Sequence, residues 1–382
     1  MNLSYWEKSS FLADADYVIV GAGIVGLFAA ITIRKAQPLA RVVVLDRSFL
    51  PDGASTKNAG FACFGSISEL IEQEKTCTKS EFLSVIEQRW KGLQLLIETL
   101  GAEEIGFDPC GGYELFSTAD LESYENCLSK IPYYNELLKN CIGADEPIFS
   151  IADDCIGKFG FKGVSHLIFN SYEGKIDSGK MMKSLIAKAR TLGVEIFFGA
   201  AVDSFEKHKK DIKIIGCNFE INTKKLLIAT NAFAKQLLPN LSAAPGRGQV
   251  IITKPIANIP FNSTFHFQKG YFYFRNIDNR ILIGGGRNLF FSQEETTEMQ
   301  NTDNISIALE NILKEIVIPN QNVMIDYAWS GIMSFGNNLL PIIEEHQPEI
   351  FVAARCNGMG VAMGSKSGET LAKLAIQDNN IL

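Results

Sequence analysis

The chain has 382 residues and 42.1 kDa, room for two domains or one large interrupted one, and its 46% hydrophobic and 21% charged residues exclude a disordered or collagen-like chain. A net charge of −7, with Lys and Arg scattered and no stripe of interleaved aromatics, excludes nucleic acid as the expected partner. The eight cysteines, at 63, 77, 110, 127, 141, 155, 217 and 356, form no C-x-x-C pair and no zinc-like spacing with His, which fits reduced thiols in a cytoplasm and no metal.

Residues 1–16 hold one Lys and three acids and lack the cationic and apolar regions of a signal peptide, so the protein is expected not to be exported. The uncharged stretch 17–33 falls short of the ~18 to 20 residues of a membrane span. Within it Tyr17-Val18-Ile19-Val20 predicts a strand, Gly21-Ala22-Gly23-Ile24-Val25-Gly26 a turn, and the following apolar run a helix ending near Arg34 and Lys35. A second strand over 42–45 ends in Asp46. The two strands are apolar on both faces, as in a parallel sheet covered on both sides.

After residue 62 the pattern changes. Phe82, Ile86, Trp90, Leu93, Ile97 and Leu100 share one helical face over 81–100, stopped by Gly101, and a second helix is expected after a Thr118 cap. Strand and helix then alternate again, with a helix over 179–192 and strands at 194–198, 211–215 and 225–229. Residues 245–328 read as an antiparallel sheet with strands at 248–254, 270–275 and 280–284, the last two joined by Asn276-Ile277-Asp278-Asn279. The tail is a strand at 351–354, a glycine-rich turn and a helix over 365–376. The expected fold class is α/β: a Rossmann-type dinucleotide-binding domain of residues 1–64, 150–240 and 328–382, interleaved with an α+β substrate domain of 65–149 and 241–327 on the antiparallel sheet.

Gly21, Gly23 and Gly26 fit G-x-G-x-x-G between strand and helix, where missing Cβ atoms allow a tight turn and a close approach of pyrophosphate to the amides of the helix start at Ile24 and Val25. Asp46 ends the next strand 20 residues after Gly26, placed to accept hydrogen bonds from a ribose, with Arg47 beside it. An acid there argues against a 2′-phosphate. The fingerprint alone does not separate FAD from NAD.

Gly53-Ala54-Ser55-Thr56-Lys57-Asn58-Ala59-Gly60-Phe61 resembles the Gly-Ala-Ser-x-Arg-Asn-x-Gly segment of the FAD-dependent D-amino acid oxidase superfamily, which includes glycine oxidase, sarcosine oxidase and D-amino acid dehydrogenases. Further segments resemble that family in the same order: Lys175-Ile176-Asp177, Ala201-Val202, Ile228-Ala229-Thr230-Asn231-Ala232, Arg247-Gly248-Gln249-Val250, Trp329-Ser330-Gly331 and Asn357-Gly358-Met359-Gly360-Val361. The resemblance covers most of the chain except about 65–150. It implies non-covalent FAD held by the fingerprint, Asp46, Arg47, Ser55, Lys57, Asn58, Ala59, Gly60, Val202, Ala229, Thr230, Asn231, Gly331 and the tail turn through Gly358, Met359, Gly360, Val361 and Ala362. Ser55, Lys57 and Asn58 would add a hydroxyl, a cation and an amide to the pyrophosphate contacts, and the tail-turn amides would face the N1–C2=O edge of the flavin. The sequence departs from the family at Lys57, Asn338 and Met359, where Arg, Asp and His are usual. Cys356 reads as a buried thiol, with covalent flavin attachment as the alternative.

In a strand, Tyr271, Tyr273 and Arg275 share one face while Phe272 and Phe274 point to the other. Arg275 is the candidate for gripping a substrate carboxylate, with Arg287 after Gly284-Gly285-Gly286 as second candidate; an Arg on a plain sheet surface is the alternative. The four histidines at 166, 208, 266 and 346 read as isolated surface or satisfied core groups. The expected function is oxidation of the C–N bond of a small amine or amino acid, hydride passing to FAD and the imine being hydrolysed, with oxygen or quinone as acceptor. A 2-hydroxy-acid or glycerol-phosphate dehydrogenase and a non-catalytic FAD-binding subunit stay open as alternatives, and so does a peripheral membrane contact.

Overall fold

A computed structural model describes residues 3–319 and 321–377. Six strands form the backbone of the first sheet in the order Ile342–Gln347, Ile350–Ala354, Phe219–Ile228, Ala15–Val20, Val42–Asp46 and Glu195–Phe198. The central pairs are parallel, with Val18 opposite Val43 and Leu226, and Val18, Ile19, Val43 and Val44 are fully buried. Helices Ile24–Ala36, Ser178–Thr191 and Gly360–Ile376 pack on one face, while Ile212, Ile214, Ala234 and Leu238 close the other. A strand buried on both faces has no reason to alternate, which is why the runs were continuous in sequence.

The long strand Phe219–Ile228 changes partners midway. Its first half pairs antiparallel with Ile212–Gly216, and from Thr223 onward it pairs parallel with Ala15–Val20, so it starts earlier than the expected 225. The last helix starts at Gly360 rather than 365, directly after the Gly358 turn. It crosses the first helix closely because a Cβ at Gly364 would come within 3.0 Å of the Ile24 side chain. Both helices therefore bring their N-termini to one end of the parallel sheet, the place where ligands bind in such folds.

The second sheet runs in the order Ile325–Phe335, Ala244–Thr253, Arg280–Gly285, Phe272–Ile277, Thr264–Phe267, Gly112–Ser117, Val164–Asn170 and Phe149–Ile151. It is antiparallel as expected except for one parallel pair, Thr264–Phe267 with Gly112–Ser117. Sheet membership also moves the expected division at residue 150, since Val164–Asn170 belongs here. The hairpin turn narrows from the expected 276–279 to Asp278 and Asn279, both at positive φ, 48° and 56°. One face of this sheet is an aromatic core in which Phe265 and Phe274 stack at 4.6 Å under the helix Asp303–Ile312. The helix Lys79–Leu100 buries Phe82, Ile86, Leu93 and Leu100 as predicted, with Trp90 and Ile97 only half-buried. The helix Leu121–Ile142 is entered through a Thr118–Asp120 turn capped by Ser117 and Asp120, not by Thr118. No helix among the described residues is long and apolar enough to cross a membrane.

Candidate active site

A cavity of about 800 Å³ runs from the N-termini of the first and last helices to the second sheet. At the near end Gly21, at φ +108°, leaves no room for a side chain: a Cβ would sit 2.7 Å from the Ala229 carbonyl. A Cβ at Gly23 would lie 2.9 Å from the Ser55 hydroxyl, and one at Gly26 would overlap the Gly21 carbonyl. The three glycines thus fix a tight turn at the start of the first helix, on the cavity wall. Asp46 is already oriented, accepting from the Ala22 amide at 2.8 Å and the Ser48 amide at 3.1 Å. Arg47 lies flat on Phe233, 3.8 Å from its centroid, and Val202, Ala229, Thr230 and Asn231 complete this end. The buried Thr230 hydroxyl has no hydrogen-bond partner. This cradle fits the pyrophosphate and adenosine of a dinucleotide.

The loop after Asp46 behaves differently from expectation in two of its side chains. The Ser55 hydroxyl caps the first helix, accepting from the Ile24 amide at 3.0 Å, and stands beside the fingerprint as anticipated. The Asn58 amide, expected as a pyrophosphate donor, is used inside the loop: it donates to the Ala54 and Ser55 carbonyls and accepts from the Gly60 amide and the Ser178 hydroxyl. The Lys57 ammonium is paired with Asp52 at 2.9 Å. Both side chains are engaged within the loop, which borders the cavity, and the Lys57 carbonyl accepts from the Trp329 indole at 3.0 Å. Ala59, Gly60 and Gly331 line the wall, and a Cβ at Gly331 would come within 3.0 Å of the Lys57 Cβ.

At the last helix, Gly358 at φ +81° turns the chain so that Met359, Gly360, Val361 and Ala362 line the cavity. The positive end of the helix dipole faces the same space, favouring negative charge there. Cys356 also borders the cavity, buried, and burial pushes its thiol up to about 11. Such a thiol is a poor nucleophile at neutral pH.

The far end corrects the assignment of Arg275. The alternation held, since Phe272 and Phe274 face the aromatic core and Tyr273 faces the cavity. Arg275, however, is 2% exposed and donates to the Gly60 and Ile176 carbonyls at 2.9 and 2.8 Å. Two residues along a strand is about 7 Å, which carries it past the cavity and under the loop that follows Asn58. Arg275 braces that loop and is not on the cavity wall. Tyr271 and Tyr273 do line the cavity.

Arg287, the second candidate, does line the cavity. Its guanidinium lies 4.1 Å from the Phe335 centroid and 5.0 Å from that of Phe291, on the cavity wall. Its Nε is buried without a partner, and no carboxylate pairs with it among the described residues. Burial alone pulls its pKa down, so a nearby anion would restore what desolvation removes.

Two buried residues at this end went unnoticed in the sequence as partners. His266 lines the cavity and its Nε2 stands 2.6 Å from Glu173, with side chains 7% and 1% exposed. The polar residue between Phe265 and Phe267 in a strand was a signal that it faces away from the core; Glu173 carried none. Ligand atoms of Cys63, Glu173 and His266 lie within 4.8 Å of one another. A shared zinc ion with bonds of about 2.0 to 2.2 Å would hold His and carboxylate atoms some 3.3 Å apart, so the 2.6 Å contact is a hydrogen-bonded ion pair and not a coordination sphere.

Residues 16–374 match the family described as FAD dependent oxidoreductase. Probable oxidoreductase OrdL of Haemophilus influenzae is 22% identical over 390 residues, spanning 97% of this chain and 85% of that protein. Glycine oxidase from Geobacillus kaustophilus has a crystal structure that superposes with a TM-score of 0.76 at 18% identity, covering 95% of each chain. Iminodiacetate oxidase from Chelativorans sp. BNC1 superposes with a TM-score of 0.73 at 18% identity, over 94% of this chain and 95% of that one. At such identities the structural likeness speaks for the fold.

Proposed function

Because the chain belongs to the FAD-dependent oxidoreductase family, the superfamily its motifs resemble, we propose that it oxidises the C–N bond of a small amino acid bound by Arg287. Bound FAD supplies the two-electron oxidation, taking a hydride from the carbon that bears the nitrogen, and water then hydrolyses the imine. The dinucleotide would lie across the Gly21–Gly26 turn and Asp46, with its ring toward the Gly358–Ala362 turn. Arg287 would hold the substrate carboxylate by paired N–H bonds, its planar group kept in place by Phe335 and Phe291. Tyr273, half-buried and with its phenol pushed up to about 12 by loss of solvent, stays protonated and closes the wall beside it. Arg287, on the wall of the cavity that the fingerprint opens and with its buried Nε unpaired, is the observation that carries this reading. It is tested by mixing the purified holoenzyme anaerobically with amino acids, simple amines and 2-hydroxy acids. Bleaching of the flavin by amino acids supports it; bleaching by hydroxy acids alone, or by nothing, overturns it.

A further inference from the structure

Arg287 is not the sole cation on the wall of the cavity. His266 projects from the strand Thr264–Phe267 on the face opposite Phe265 and Phe267, and its cross-strand neighbour is Tyr273. Glu173 holds it from behind. Its Oε1 takes both the His266 Nε2 contact and a hydrogen bond from the Thr264 hydroxyl, each at 2.6 Å, and the carboxylate packs onto Gly112, where a Cβ would come within 2.5 Å of Oε2. A buried carboxylate at that distance keeps the imidazole protonated, so both ring nitrogens are donors.

No residue among those described accepts from His266 Nδ1, and the ring lies on the cavity wall beside Phe61 at 5.3 Å. Three carboxylates bear on it, Glu173, Glu69 and Glu114, the last its neighbour across the Gly112–Ser117 strand. Glu69 is tied to the Ser66 amide as a helix cap, and Glu114 accepts from the Ser68 amide and hydroxyl. Burial pushes Glu114 up to about 7 and raises the Cys63 thiol, leaving the thiol uncharged.

Strand register sets the spacing. Tyr273 pairs with His266 on one side and Gly284 on the other, so His266 and Gly284 stand about 10 Å apart across two strand spacings, with Arg287 three residues beyond Gly284. The two cations flank Tyr273.

We propose that His266 is a second anion subsite, so that the favoured substrate is an amino compound with two carboxylates, one held by Arg287 and the other accepting from His266 Nδ1. The inference rests on the assignment of Arg287. It is tested with inert acids that perturb the flavin absorbance of the holoenzyme: propionate and butyrate against malonate, succinate and glutarate, with glutaramate as the uncharged-end control. The best dicarboxylate should bind at least about tenfold more tightly than the monocarboxylates and glutaramate, as expected for one charge-assisted hydrogen bond. In His266→Gln that ratio should fall to near one while the monocarboxylate Kd moves less than about threefold. Because both ligands are read on the same variant, a general loss of stability cannot imitate the change in ratio. Equal binding of mono- and dicarboxylates by the unaltered protein, or equal weakening of both in His266→Gln, overturns the subsite. Arg287→Met should weaken every acid; if it weakens none, the Arg287 reading falls, whatever the His266 ratio shows.

Discussion

Gly368 of the last helix lies against the Val25 carbonyl of the first so closely that any Cβ on Gly368 would overlap that oxygen, and it would also come within 2.8 Å of the Phe28 Cβ. This approach lets two helices start at the same cavity, one at the fingerprint and one at the Gly358 turn. Backbone atoms, not flexible side chains, form the contact, so a substituent there must push the helices apart.

Gly368→Ala should therefore destabilise the protein by on the order of 1 to 3 kcal/mol despite the better helix propensity of alanine. The melting temperature should fall, and the flavin should dissociate on dilution more readily than from the unaltered protein. A rise in melting temperature would mean that the helices can shift without cost.

Asp46→Ala removes a carboxylate that orders the Ala22 and Ser48 amides and faces the proposed ribose site. Loss of charge-assisted hydrogen bonds should weaken FAD by about one to two decades, measured by ultrafiltration of the holoenzyme. Full retention would make Asp46 a purely structural strand end.

Arg275 and Arg287 separate two kinds of effect. Arg275→Met removes the side-chain donor of the Ile176 carbonyl and one of two donors of the Gly60 carbonyl, which keeps the Ile176 amide, and should cost about 1 to 3 kcal/mol and loosen FAD. Arg287→Met should instead raise the substrate concentration needed for anaerobic flavin reduction, with melting temperature little changed. An exchange of these two phenotypes would reverse the assignment made for the far end of the cavity.

His266 makes stability depend on pH. Its folded pKa is raised to about 9 from 6.5 against Glu173, although burial by itself pulls the other way. A raised folded pKa contributes stability that is fully present below 6.5 and is lost as pH rises through 9. Urea titrations should show that loss between pH 6.5 and 9, with an upper bound of about 3 kcal/mol. Glu173→Gln should flatten the slope in that window; an unchanged slope would place the titration elsewhere.

Colour should leave the protein when it is precipitated with acid, because the Cys356 thiol is held protonated and nothing in the cavity activates it. Intact FAD in the supernatant, and the same in Cys356→Ser, is the expected result. Flavin retained by the pellet would show a covalent link.

Local chemistry was legible from the residues alone. Gly21, Gly23, Gly26 and Asp46 act within 26 residues of one another, and the turn, the helix start and the strand end each need a particular residue type whatever lies around them. The same holds for the alternation of Tyr273 with Phe272 and Phe274, since a period of two is a property of the strand itself. Tertiary structure decided what those faces meet. Arg275 shares the face of Tyr273, yet the Gly60 loop, 215 positions away in the chain, lies over it and takes its donors. The Asn58 amide, a donor in sequence, meets the Ala54 and Ser55 carbonyls of its own loop. The pairing of His266 with Glu173, 93 residues apart, left no periodic trace because it depends on the parallel register of two strands and on Gly112 having no side chain. Spacing in sequence specifies backbone geometry, while the partner of a buried charge is chosen by whichever distant segment the sheet order brings alongside.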